Sequence, residues 1–338
     1  MIGAFATSPA VITGLTTTVL SIPDTWAHGD GTDRRARMPV ARCSPSWAPE
    51  PTATVCHFGR TNHPWGTNMS GSLLGDRNAV IYGGGGAIGG AIARVFAREG
   101  ARVFIAGRTQ EKLDAVARDI TAAGGTVETA QVDVLDQQSV EKHADTVAAT
   151  AGGIDIAVNA VSVMHDQGTS LADLSLEEFM RPIDGYLRAL FITSKAVARH
   201  MGRERPGVIL TLSEPGSKLA VGGILGHAVS AAGKEAFSRV LAAELAPGNI
   251  RVIGIRPHAA VDAPAAGSYT KGLFEQAAAA AGQSVQELLE SGAMVQGTLL
   301  KRLPMLSEIA ETAAFLASDR AGSMTGTIAN LTAGALVD

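Results

Sequence analysis

The run Ile81-Tyr82-Gly83-Gly84-Gly85-Gly86-Ala87-Ile88-Gly89-Gly90 carries the plainest chemistry in this chain of 338 residues. Residues 79–82 before it are apolar, and residues 91–97 after it are apolar at helical spacing. A strand that breaks into a glycine-rich turn and then a helix makes an anion site. The helix N-terminus presents backbone N–H groups without intrahelical partners, and residues without side chains let a pyrophosphate come close. A glycine-rich run also describes a turn with no ligand, so its weight depends on the elements around it.

Those elements alternate. Apolar runs predict strands over 79–82, 102–106, 126–132, 154–159, 207–212, 250–255 and 327–331. Helical spacing predicts helices over 87–98, 110–123, 136–150, 176–201, 225–245 and 305–317, with Leu113, Val116 and Ile120 on one face of the second. Strict alternation with short connections implies an α/β domain, a doubly wound parallel sheet covered on both faces, with its ligand at the C-terminal edge. Residues 259–300 are a long excursion of loops and Ala-rich helix, expected to cover the ligand.

Composition changes near residue 70. Trp26, Trp47, Trp65, Cys43, Cys56 and half of the prolines precede Met69, and no sustained period runs through them. Residues 1–75 are therefore expected to be a disordered or loosely packed extension, and 76–338 a single domain. Met69-Ser70-Gly71-Ser72 reads as a natural start for that domain. Residues 1–22 are mildly apolar but lack a basic start and a clear cleavage site, so they do not read as a signal peptide. Cys43, Cys56, His57 and His63 fit no zinc-finger spacing, and no metal is expected. The net charge of −4 gives no electrostatic case for nucleic acid. No stretch from Gly75 onward is long and apolar enough to span a bilayer, and the expected compartment is cytoplasmic.

The pattern over 78–338 resembles the short-chain dehydrogenase/reductase family, which has a Rossmann fold and uses NAD or NADP. The family's Gly-x3-Gly-x-Gly motif corresponds to Gly83-Gly84-Gly85-Gly86-Ala87-Ile88-Gly89, with Ala87 for the middle Gly. A second register, Gly84-x-Gly86-x-x-Gly89, fits the same run. The second strand ends in Arg108-Thr109, without the acid that would bind a ribose 2′-hydroxyl; Arg108 suits a 2′-phosphate, so NADP is expected over NAD. Asp133-Val134 corresponds to the family's adenine-edge contact, or else Asp133 caps the next helix. Asn159-Ala160 follows the fourth strand, and Pro257 shapes the loop after the sixth, both at cofactor-binding positions of the family. The closing segment from Glu308 to Gly326 also matches.

The catalytic positions match less well. Lys234, in Ser230-Ala231-Ala232-Gly233-Lys234, corresponds to the family lysine that holds the nicotinamide ribose. The Tyr position four residues before it is Ser230, and the Asn position is Tyr186. Ser213, Ser217 or neither stands in the place of the family serine that binds the substrate oxygen, because the interval to residue 230 is about three residues longer than usual. His227 lies seven residues before Lys234 and shares its helix face, so it is either the general acid or a residue capping the helix start. Tyr186 is another hydroxyl able to reach the pocket, or a core residue. His258 is more simply structural, and His143 and His200 read as surface residues. The expectation is an NADP-dependent oxidoreductase acting on a carbonyl or activated C=C of a small, largely apolar substrate. The alternative is a dinucleotide-binding homologue without catalysis, serving as a sensor or partner subunit. The resemblance also implies a homodimer or homotetramer.

Overall fold

The apolar runs form β1 (Asn78–Tyr82), β2 (Arg102–Gly107), β3 (Thr126–Gln131), β4 (Ile156–Asn159), β5 (Gly207–Leu212), β6 (Ile250–Pro257) and β7 (Ile328–Leu331). All pair in parallel in one sheet of order β3-β2-β1-β4-β5-β6-β7, with Ile81 opposite both Ile105 and Val158. The structure, a computed structural model, describes residues 72–202 and 205–337. The expectations for Cys43, Cys56, His57 and His63 lie outside those residues, as does most of the expected extension. Residues 72–75 pack with the domain instead. Leu74 is buried in the core, and its amide donates to the Glu99 carbonyl at 2.9 Å.

The helices are α1 (Ala87–Arg98), α2 (Gln110–Ala122), α3 (Gln137–Ala151), α4 (Leu176–Ala198), α5 (Leu225–Leu245), α6 (Lys271–Ala281), α7 (Val285–Glu290), α8 (Ala293–Gln296) and α9 (Leu306–Ala317). Successive strand side chains face opposite layers. Ile81, Ile105, Val158, Leu210 and Ile253 pack with Ile92, Phe96, Val116 and Ala313 of α1, α2 and α9. Tyr82, Phe104, Ala157, Ile209 and Val252 pack with Val140, Val147, Ile192 and Val197 of α3 and α4. Burial of both faces explains why the strands read as unbroken apolar runs rather than alternating ones. Each large apolar side chain so buried contributes about 1.5–3 kcal/mol.

His143 corrects a sequence reading. It is buried, edge-on to Tyr82, with Nδ1 3.4 Å from the Tyr82 hydroxyl. It shares the inward face of α3 with Val140, Ala144 and Val147. The helix is capped by Asp136, which accepts from the amides of Gln138 and Ser139; Asp133 is not the cap.

The connections from β1 and β4, neighbours in the sheet, leave toward opposite ends of it. Their C-terminal ends therefore open a crevice, the usual ligand position in such sheets.

Candidate active site

A cavity of about 660 Å³ runs along the C-terminal edge of the sheet, from the glycine turn to residues 259–274. Gly83, Gly85, Gly86, Ala87 and Ile88 line one end. Gly83 has φ +83°, and a side chain there would collide with the Ala160 carbonyl. Gly89 does not line the cavity: a side chain on it would collide with the Gly83 carbonyl, so its role is close packing of α1 on the turn. Gly84 is crowded too, since a side chain there would collide with Ile105. Gly86 is the N-cap of α1 and offers no side chain to its first-turn amides. A bare, uncapped helix start facing a long cavity fits a dinucleotide pyrophosphate.

Arg108 and Thr109 stand at the rim beyond β2, with Val132 and Val134 opposite. Arg108 is exposed, so its guanidinium is open to a phosphate. Lys112, in the first turn of α2, lines the same end and was missed by the sequence reading. Asp133 is exposed and does not line the cavity; its carboxylate accepts from the Leu135 amide at 3.0 Å. Asn159 is also turned away. Its Nδ2 donates to Thr193 Oγ1 at 2.6 Å, tying β4 to α4, while Ala160 faces the cavity.

At the other end Lys234 projects from α5 with Nζ 2.6 Å from both carboxylate oxygens of Glu214, and 4.0 Å from the centroid of the Tyr186 ring. Ser213 and Glu214 follow β5 directly. Ser213 Oγ donates to Glu235 at 2.9 Å, as does Ser217 Oγ at 2.7 Å. Glu235 is also paired with buried Arg256, at 2.7 and 2.9 Å. A carboxylate only accepts, so the one proton of Ser213 is committed to it. Ser230 is buried, does not line the cavity, and donates to the His227 carbonyl at 2.8 Å. Pro257 and His258 line the floor, where His258 Nδ1 accepts from the Ala259 amide at 2.7 Å.

His227 lines the cavity and stacks on His165, ring centroids 4.5 Å apart and planes 13° from parallel. Burial pushes the His227 pKa down to about 4, helped by His165 and Lys234 and opposed by Glu214. The ring is therefore neutral at pH 7, not a charged acid. Burial holds the Tyr269 phenol up to about 12 and drives Tyr186 well above its ordinary value. Burial would also raise Glu235, but the hydrogen bonds from Arg256, Ser217 and Ser213 outweigh it and hold the carboxyl low.

His165 and Glu214 were not singled out from sequence. Glu214 had a legible signal, since the residues just past a parallel strand face the ligand edge; His165 sits in a loop with no period. No cluster of three or more metal-ligating side chains occurs among the described residues. No helix among them is long and apolar enough to cross a membrane.

The comparisons agree with this geometry. A family profile described as Enoyl-(Acyl carrier protein) reductase matches residues 85–335. The 3-oxoacyl-(acyl-carrier-protein) reductase FabG of Chlamydia muridarum is 31% identical over 264 residues, 78% of this chain and 98% of its own length. The D-threitol dehydrogenase of Mycolicibacterium smegmatis is 29% identical, over 75% of this chain and 90% of its own. A short-chain dehydrogenase from Burkholderia cenocepacia, solved in complex with NADP, superposes with a TM-score of 0.65 at 27% identity, covering 78% of this chain and 99% of that one. A parallel sheet of this order, a glycine cradle at its switch point and these matches along three quarters of the sequence lead to one conclusion: the chain belongs to the short-chain dehydrogenase/reductase family of NAD(P)-dependent oxidoreductases.

Proposed function

We propose that this chain is an NADP(H)-preferring oxidoreductase that moves a hydride to or from the carbonyl carbon of a small, largely apolar substrate. The observation that carries this reading is the continuity of the cavity. It joins the glycine cradle, with Arg108 and Lys112, to Lys234 and Tyr186 under residues 259–274. The coenzyme, when bound, supplies or accepts the hydride. Arg108 and Lys112 would hold a 2′-phosphate, Arg108 through its planar fork. Lys234 has three N–H donors; Glu214 leaves it at least one for a ribose hydroxyl. Leu219, Val221, Leu273, Phe274 and Met294 line the substrate end, which suits an apolar body. The 259–300 segment serves as its cover. Among relatives, FabG is named for reducing a 3-oxoacyl group and another is named a threitol dehydrogenase. Both act at a carbon–oxygen centre, which favours a carbonyl over a C=C bond.

Fluorescence titration with NADPH and NADH tests the reading. Tighter binding of NADPH is expected. Arg108→Ala should weaken NADPH binding by about 10- to 100-fold and leave NADH nearly unchanged, as for loss of a hydrogen bond to a charged group. Absence of binding by either coenzyme at millimolar concentration overturns the proposal. A second reading, a binder without catalysis, draws on the ties of Ser213 and Lys234 to Glu235 and Glu214. NADPH consumption with any member of a ketone and aldehyde panel would remove it.

A further inference from the structure

Carbonyl reduction needs a proton at the substrate oxygen, and the expected serine hydroxyls are engaged. Ser230 is buried under its own helix turn and Ser213 donates to Glu235, while His227 is a neutral ring whose Nδ1 has no hydrogen-bond partner among the described residues. Two phenols remain in the cavity. Tyr186 comes from α4 and Tyr269 from the turn before α6, and their Oη atoms are 3.4 Å apart. Resting on the oxidoreductase reading above, we propose that Tyr269 delivers the proton and Tyr186 resupplies it, so the covering segment itself carries the reactive hydroxyl.

The hydrogen bonding gives the order. Tyr186 Oη lies 3.3 Å from the Val163 carbonyl, which can only accept. With the Tyr186 proton on Val163, its oxygen accepts from Tyr269, and that long bond is given up when the Tyr269 hydroxyl turns to a substrate oxygen. The coenzyme, when bound, would supply a hydride to the carbonyl carbon, and the C=O π pair would move onto the oxygen. That oxygen takes the proton from Tyr269 Oη, leaving a phenolate. The phenolate takes the proton of Tyr186 as that hydroxyl turns from Val163, and water at the cavity mouth restores Tyr186. Oxidation runs the same path backwards. The Lys234 ammonium lies over the Tyr186 ring face, bonded to Glu214, whose charge adds to burial in keeping this phenol protonated. Both phenols are protonated at neutral pH, and burial, which raises them, makes each a weaker acid than a free tyrosine, so the proton must move together with the hydride. The stacked His165–His227 pair, with His165 edge-on to Tyr269 at 6.0 Å, forms the wall that sets its ring.

The test compares wild type, Tyr269→Phe, Tyr186→Phe and His227→Ala for NADPH binding and for turnover of the ketone and aldehyde panel. Tyr269→Phe should lower kcat about 100-fold or more, with the NADPH Kd within about two-fold of wild type; Tyr186→Phe should lower kcat about ten-fold. A Tyr269→Phe enzyme with wild-type kcat overturns the proposal, most directly if His227→Ala has lost turnover instead. A wild type that binds NADPH but reduces nothing in the panel also overturns it, and leaves the dinucleotide site standing. A wild type that does not bind NADPH brings down the reading beneath it.

Discussion

At the β1–α1 end of the cavity the groups facing a ligand are peptide amides; at the β5–α5 end they are side chains already bonded to one another. The first arrangement depends on backbone conformation and on the absence of side chains. Replacing the middle Gly of the motif by Ala87 leaves it intact, because a methyl group lining the cavity takes nothing from the amides. The second depends on which atom holds each proton. Placing Ser230 where a Tyr is expected, and Glu214 and Glu235 beside Lys234 and Ser213, changes those assignments without moving an element. The same fold can thus keep its binding end and redistribute the duties of its reactive end.

Gly83→Ala would break the first end with the largest effect. The substitution forces a Cβ into the Ala160 carbonyl at a left-handed φ, at a cost on the order of 4 kcal/mol. Gly86→Ala has an ordinary φ, and its Cβ would meet nothing nearer than the Gly83 carbonyl at 3.2 Å. It should cost under about 1 kcal/mol of stability while weakening coenzyme binding. Urea unfolding and NADPH titration of the pair separate packing from cradling. Equal stabilities would show that the turn is not held as described.

A smaller effect compares two imidazoles that burial lowers to about 4, His143 beneath β1 and His227 in the cavity. An unfolded histidine titrates near 6.5. Above that pH both states are neutral and stability is unaffected. Below it the unfolded chain binds protons that the folded chain refuses, so stability falls until the folded pKa is reached. Each ring should account for about 2 kcal/mol of loss at pH 5. His143→Phe should remove about 2 kcal/mol of the loss between pH 7 and 5 in urea unfolding. An unchanged loss would mean that His143 is not shielded from water.

The same contrast explains what the sequence made legible. The alternation of strands and helices and the glycine turn follow from apolar runs and glycines that are local in the chain, whereas the order of the strands in the sheet does not. His143 was misread as a surface residue, although its helical spacing with Val140 and Val147 marks the inward face. Asn159 was misassigned because a strand end presents alternate residues to opposite sides, and a single turn decides which one meets the ligand. Tyr269 falls in the segment expected from sequence to line the pocket, but its edge-on contact with His165 joins a turn and a loop more than 40 residues apart. No periodicity connects such residues, and only the fold brings them together.

The smallest predicted effect bears most directly on the reactive end. Ser213→Ala removes a hydroxyl from Glu235, but the carboxylate keeps Ser217 on Oε1 and Arg256 on both oxygens. The stability cost should therefore be about 1 kcal/mol, one ordinary hydrogen bond. Turnover should fall by less than about ten-fold, because a proton held by Glu235 is not offered to the substrate; a donor to a developing oxyanion would cost about 100-fold or more. Ser217→Ala, which loses an equivalent bond to the same oxygen without lining the cavity, is the internal standard. If the two variants match in kcat, Ser213 serves the Glu235–Arg256 pair. If Ser213→Ala alone falls 100-fold, its proton swings to the substrate during reaction, and the two ends of the cavity differ less than their resting bonds indicate.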